Sequence, residues 1–100
     1  MTLHEFERTL QSDTPPTSLS PALLALWHDG KGDWQAAHQV AQDMPDRIGS
    51  HIHAYLHRKE GDIGNAHYWY RKAGVAPATG PLREEWTAIV TGLLLEGLEA

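Results

Sequence analysis

Residues recur along this chain at an interval of 29 positions, and this repetition restricts the possible folds more than any other property of the sequence. Each unit carries a glycine followed by an aspartate, Gly32-Asp33 and Gly61-Asp62, between two stretches with helical patterning. Glycine ends a helix in the left-handed conformation, and aspartate caps the N-terminus of the next helix. Self-similarity of this kind is typical of stacked helical repeats. Six residues correspond between the units: Ala25, His28, Gly32, Asp33, Ala37 and His38 match Ala54, His57, Gly61, Asp62, Ala66 and His67.

Helix-breaking residues mark the remaining boundaries. Ser20-Pro21, Asp46 and Pro81 are typical helix starts, and Gly74 is a typical helix end. No segment alternates apolar and polar residues as a half-buried strand does. The sequence therefore predicts a single all-α domain over residues 1–100, with two helical hairpins flanked by N- and C-terminal capping helices. Its parts are an N-terminal helix at 1–11, a proline-rich linker at 12–19, hairpins at 20–44 and 46–74, and a C-terminal capping helix at 81–99.

Helical periodicity also predicts which faces are buried. One face of the fourth predicted helix carries Ile63, Ala66, Trp69, Tyr70 and Ala73, and we expect it to belong to the core. The last helix carries a similar stripe that is expected to cap the second hairpin. That stripe consists of Leu82, Trp86, Ile89, Val90 and Leu93.

The second unit resembles known helical repeats. The segments 53–62 and 66–73 look like a tetratricopeptide-type hairpin, and Ala66-x-x-Trp69-Tyr70-x-Lys72-Ala73 is similar to the second helix of Sel1-like repeats. The stretch 53–74 also resembles one found in small uncharacterised proteins with no assigned activity. The resemblance covers residues 21–74 and implies a helical-repeat fold that binds other proteins, although the interval of 29 is shorter than the tetratricopeptide period of about 34.

Composition excludes several classes of protein. Lys and Arg number 8 against 13 Asp and Glu, a net charge of −5, so neither a nucleic acid nor a membrane is expected as a partner. The chain has no cysteine, which excludes disulfide frameworks and thiol catalysis. Its first residues do not look like a signal peptide, and no stretch approaches the roughly 20 apolar residues of a membrane span. We therefore expect a cytoplasmic location.

Two features indicate a surface for a protein or peptide partner. Tyr68 is predicted to point away from the core, and Arg58, Arg71 and Lys72 belong to the only dense positive charge on the chain. Such residues could clamp a carboxylate or an acidic peptide, the type of contact that tetratricopeptide-like grooves make. The alternative is that the cations only complement the C-terminal ends of their helices.

Seven histidines are a high count, and some have the spacing of a metal site. His53 and His57 lie at i and i+4 on one helix, and Glu60 or His67 could supply a third ligand. No His-Glu-x-x-His motif is present. Because His28 and His57, and likewise His38 and His67, correspond between the units, the repeat also predicts a structural role shared by both hairpins.

Leucines near the C-terminus indicate self-association. Leu94, Leu95 and Leu98 fall outside the predicted core stripe of the last helix, and a two-unit repeat has an end without a neighbour. A homodimer would cover this surface. The alternative is a monomer in which the N-terminal helix, with Leu3, Phe6 and Leu10, folds back over these leucines.

The sequence favours a non-enzymatic interaction module that binds an unknown protein or peptide and needs no cofactor. No combination of nucleophile, base and orienting group is recognisable. The alternative is a small histidine-based metal-binding protein or metal-dependent hydrolase.

Overall fold

A computed structural model describes the backbone of residues 1–99 and the side chains of residues 1–96. Within residues 1–99 the chain forms six α-helices and no strands. The predicted all-α class is confirmed. None of these helices is long and apolar enough to cross a membrane. The helices are α1 (Leu3–Thr9), α2 (Pro21–Gly30), α3 (Trp34–Gln42), α4 (Arg47–Glu60), α5 (Ile63–Ala73) and α6 (Leu82–Glu99).

The two turns of the repeat have the same backbone geometry. Gly32 and Gly61 adopt φ of +84° and +91°, in the left-handed region that glycine enters without strain. The N–H of Asp33 donates to the His28 carbonyl at 2.9 Å, and the N–H of Asp62 donates to the His57 carbonyl at 2.9 Å. Both aspartate side chains then cap the following helix. The repeat read from the sequence is therefore present in the backbone of both turns.

Several other predicted helix ends agree with the structure, although the N-terminal helix is shorter than the predicted 1–11 and spans Leu3–Thr9. Ser20 caps α2 with Pro21 at its first position, and Asp46 caps α4 by accepting from the Gly49 N–H at 2.9 Å. Gly74 ends α5 in the left-handed conformation. Local capping chemistry alone was sufficient to place these ends.

Helix α4 is the centre of the fold and contacts α2, α3, α5 and α6. Ile52 and Leu56 face the main core, whereas Ala54 on another side packs with Ala66 and Tyr70 of α5. The main core also contains Phe6, Leu26, Trp27, Trp86, Ile89 and Val90. Small alanines at the helix contacts, all fully buried, let α3 and α5 approach α4 closely.

Helix α6 lies beside α1, α2 and α4 and not beside α5. Trp86, Ile89 and Val90 are buried as predicted, but they cover the first helices of both hairpins and do not cap the outer end of the second. The outer side of α5 is consequently exposed, and two core predictions fail there. Ile63 is half exposed and Trp69 is only partly buried, because α4 covers just one side of α5.

The N-terminal helix packs back onto α6. Phe6 is fully buried, with its ring 5.9 Å from that of Trp86, and the Trp27 indole N–H donates to the Thr9 carbonyl at 3.3 Å. The Lys31 ammonium donates to the carbonyls of Leu10 and Ser12 at the start of the linker. These contacts join α1 to the first turns of α6, at Trp86, and the cover of Leu94, Leu95 and Leu98 by α1 stays a prediction.

Candidate metal centre

Three imidazole rings converge where α3 packs against α4. His38 comes from α3, and His53 and His57 come from successive turns of α4. One ring nitrogen of each lies within 4.8 Å of those of the other two. The Nε2 atoms of His38 and His53 are 2.9 Å apart and form a hydrogen bond, in which one ring donates its Nε2–H and the other accepts.

Local sequence explains why these rings meet. His53 and His57 share a face of α4 because residues four apart are neighbours on a helix. His38 follows the buried Ala37, whose small side chain allows α3 to approach α4. His53 and His57 are only 6% and 7% exposed, and His38 is partly buried.

Two tryptophans flank the cluster and hold the rings. Trp34 stacks on His38 with ring centroids 4.8 Å apart, and its indole N–H donates to the Leu56 carbonyl at 2.7 Å. Trp69 stacks on His53 with centroids 4.0 Å apart. These contacts restrict the imidazole orientations, and pre-oriented ligands favour metal binding.

Glu60 and Asn65 fix the orientation of His57. The Nδ1 of His57 lies 2.6 Å from a Glu60 carboxylate oxygen, to which it donates, and the Asn65 amide N lies 3.3 Å from Nε2. Nε2 therefore carries the lone pair of this ring, and the Asn65 amide donates to it. A carboxylate behind a ligating histidine is the usual second partner in zinc sites, where it fixes the tautomer and raises ligand basicity.

The cluster favours neutral imidazoles. Burial, together with the neighbouring rings of His38 and His57, lowers the pKa of His53 to about 4. Burial and the nearby His57 also lower the pKa of His38. Both rings are therefore neutral at pH 7, the form that binds metals, but the ring that donates the Nε2–H in the hydrogen bond between them would have to move its proton to Nδ1 before it could bind an ion.

The spacing of the nitrogens fits a small tetrahedral ion. Zinc–nitrogen bonds of about 2.0–2.1 Å place two ligands of a tetrahedral site about 3.3 Å apart. The 2.9 Å separation of the His38 and His53 nitrogens is close to that value. The His53 and His57 rings stack with centroids 4.7 Å apart and planes inclined by 27°, so at least one ring would have to rotate before all three nitrogens could bind one ion.

The structure brings together only part of the metal site that the sequence predicted. His53, His57 and Glu60 are neighbours, but His67 is exposed on α5, and His38 takes the place of the third histidine. The expectation of a structural role shared by His38 and His67 is wrong. Helix α3 faces the following unit, whereas α5 has no further unit beyond it. The sequence contained a signal for His38, because His67, the residue at the equivalent position of the other unit, was already a candidate ligand.

Arg58 is not part of a free surface, contrary to its prediction as a partner contact. Its guanidinium lies 3.0 Å from a Glu85 carboxylate oxygen of α6 and also donates to the Gly80 carbonyl. Lys59 is likewise paired inside the fold, 2.8 Å from the buried Asp29 carboxylate. The carboxylates that Arg58 and Lys59 bind, those of Glu85 and Asp29, therefore belong to the same chain.

The other predicted partner contacts remain accessible on α5. Tyr68 is 47% exposed, and Arg71 and Lys72 are exposed beside it. The Lys72 ammonium lies 5.6 Å from the centre of the Tyr68 ring. These three residues form one continuous surface, from which Arg58 is absent.

The predicted leucine interface is only partly exposed. Leu94 packs against the main core, whereas Leu95 is 55% exposed. The side chain of Leu98 lies outside the described residues. One exposed leucine is ordinary for a monomeric protein surface.

No family model, curated protein or solved structure matches this chain. The resemblance to tetratricopeptide-like and Sel1-like repeats therefore stays a prediction.

Proposed function

We propose that the protein binds one divalent transition metal ion, with zinc the best match, through His38, His53 and His57. The observation that carries this proposal is the convergence of three imidazole nitrogens within 4.8 Å of one another, two of them on buried side chains. Imidazole ligands suit zinc, copper, iron and nickel, whereas magnesium and calcium prefer oxygen. The same cluster is our reason for preferring the metal-binding alternative to the interaction module.

A three-histidine site leaves one coordination position for water or a small anion. Three protein ligands and one exchangeable ligand are the arrangement of catalytic zinc sites, whereas structural sites take four protein ligands. The Asn65 amide donates to Nε2 of His57, so this hydrogen bond would have to be released for that nitrogen to bind the ion. The proposal is metal binding, and the reaction class stays undefined.

Metal binding would also link the two repeat units. His38 belongs to the first hairpin, and His53 and His57 belong to the second. An ion that bridges α3 and α4 binds the folded state and not the separated helices, so it stabilises the fold. We therefore expect a higher melting temperature in the presence of zinc.

Titration of purified, chelator-treated protein with cobalt and zinc tests the proposal. We expect one ion per chain, a cobalt spectrum typical of tetrahedral nitrogen ligation, and displacement of cobalt by zinc. His38→Gln should abolish this binding, whereas His67→Gln, the equivalent exposed position in the other unit, should leave it unchanged. Circular dichroism verifies that both variants remain helical. No binding by the wild type, or equal binding by both variants, would refute the proposal.

Protein binding through α5 is the second candidate function. Its support is the exposed surface of Tyr68, Arg71 and Lys72, which is the part of the predicted partner contact that remains accessible. Aromatic and arginine side chains are enriched at interfaces. Comparison of proteins captured by the wild type and by a Tyr68→Ala/Arg71→Ala variant tests it. Recovery of the same proteins by both would exclude this surface.

A further inference from the structure

An apolar groove of about 950 Å³ lies between the start of α2, the end of α3, the start of α4 and the C-terminal part of α6. Its apolar lining includes Leu23, Val40, Met44, Ile48 and Leu93, and all five are partly buried against the main core. The groove is thus an open edge of the core. Its volume is that of a typical ligand or peptide site.

The charges around this groove all have one sign. Asp43, Asp46 and Glu96 line it and are exposed, and the residues that line it include no lysine, arginine or histidine. The N-termini of α2 and α4 also open here, and their caps Ser20 and Asp46 each accept from one backbone N–H, those of Leu23 and Gly49. The groove therefore presents a negative rim around an apolar floor.

The C-terminal part of α6 from a second copy does not complement this groove. The exposed leucine of α6, Leu95, is followed by Glu96, and the last turn of α6 has no basic residue. Insertion of that segment would bring carboxylates against Asp43 and Asp46, and like charges facing each other oppose association. The net charge of −5 adds to this repulsion.

We propose that the groove binds an amphipathic helix of another protein that places its apolar face on Leu23, Met44 and Ile48 and its lysine or arginine residues at the acidic rim. Helices bind in this way by inserting apolar side chains along one face. Met44 suits such a site, because an unbranched thioether adapts to different partners. None of the three clustered histidines lines the groove, so this inference is independent of the metal site.

Titration of isotope-labelled protein with a synthetic leucine–lysine amphipathic helix, followed by NMR, tests the proposal. We expect shifts of amide resonances around the groove, weakening of the affinity by salt, and no such shifts with the matched leucine–glutamate peptide. Shifts centred on α5, or equal shifts with both peptides, would overturn it.

Two charge reversals provide the matched control. Asp43→Lys should lower the affinity about tenfold, because it puts a like charge at the rim, whereas Asp13→Lys in the linker changes the net charge equally and should have little effect. Lysine at the C-terminal end of α3 is compatible with the helix dipole, so we expect the Asp43 variant to fold. Equal losses of affinity in both variants would show that the peptide is attracted by the net charge of the protein and not by the groove, which would overturn the proposal. Sedimentation showing a dimer that Met44→Glu dissociates would instead assign the groove to a second copy and overturn the proposal.

Discussion

The Glu85 carboxylate of α6 and the Arg58 guanidinium of α4 form an ion pair at 3.0 Å, with the Glu85 side chain only 5% exposed. The other carboxylate oxygen of Glu85 accepts a hydrogen bond from the Tyr70 hydroxyl at 2.6 Å and lies 3.5 Å from His51 Nε2. A single buried carboxylate thus connects α4, α5 and α6. The same ion pair explains why Arg58, which the sequence predicted as a partner contact, does not belong to a free surface.

Removing this carboxylate should destabilise the fold strongly. Glu85→Ala leaves Arg58, whose side chain is 15% exposed, without its counter-ion, and loss of one partner of a buried pair costs about 3–5 kcal/mol. Urea unfolding at neutral pH measures this cost. Glu84→Ala, one position earlier and exposed, should be near neutral. Equal effects would mean that α6 does not depend on this ion pair.

Acid should weaken the same contact. Burial alone would raise the pKa of Glu85, but hydrogen bonds from His51, Tyr70 and Arg58 outweigh it and lower this pKa below its ordinary 4.5. A carboxyl with a depressed pKa stabilises the folded state above its unfolded pKa and loses that contribution as the pH falls through the lowered value. We therefore expect the wild type to lose stability below about pH 4.5, and Glu85→Gln to lose less over the same interval.

His53 should make folding pH-dependent in a milder range. Its folded pKa is about 4, below the ordinary 6.5, so the unfolded chain takes up a proton that the folded chain excludes. The free energy of unfolding should consequently fall as the pH decreases from 6.5 towards 4. Metal-free protein unfolded with urea at several pH values measures this slope.

The matched variants are His53→Asn and His67→Asn. The first should flatten the pH dependence between 6.5 and 4, whereas the second, at an exposed histidine, should keep the wild-type slope. If both variants show the same slope, the pH dependence of stability arises from titratable groups other than His53.

Glu60→Gln should weaken metal binding without removing a ligand. Glu60 accepts the Nδ1–H of His57 at 2.6 Å, and loss of such a partner usually costs about 10–100-fold in metal affinity. Cobalt titration measures the affinity, and Glu84→Gln on α6 is the control. Affinity unchanged by Glu60→Gln would show that this carboxylate does not orient His57.

Trp86 and Trp69 should differ in their contributions to stability. Trp86 is buried between α1 and α2, so Trp86→Ala should cost about 3–5 kcal/mol. Trp69 is partly exposed and stacks on His53, so Trp69→Ala should cost clearly less while it alters cobalt binding. Urea unfolding of both variants and cobalt titration of the second test this difference.

The helix ends and the first two candidate ligands were predictable because their signals are local. Asp33, Asp62 and Gly61 act within one turn, and His53 and His57 share one helix. The match of His38 with His67 in the repeat was a signal for His38, but its place in the cluster depends on how α3 packs against α4. The role of Arg58 was missed for a similar reason: a helical pattern shows which face is polar, but not that α6 crosses it with a buried glutamate.

The repeated turn geometry has a consequence for any longer relative of this chain. The cluster combines one histidine from the second helix of a unit with a pair from the first helix of the next unit, and Leu24 occupies the position in the first unit that His53 occupies in the second. Duplication of residues 46–74 would place a new pair opposite His67, now the exposed counterpart of His38. Each added unit would thus add one three-histidine cluster. The number of ions bound per chain, under the proposed function, would equal the number of junctions between units.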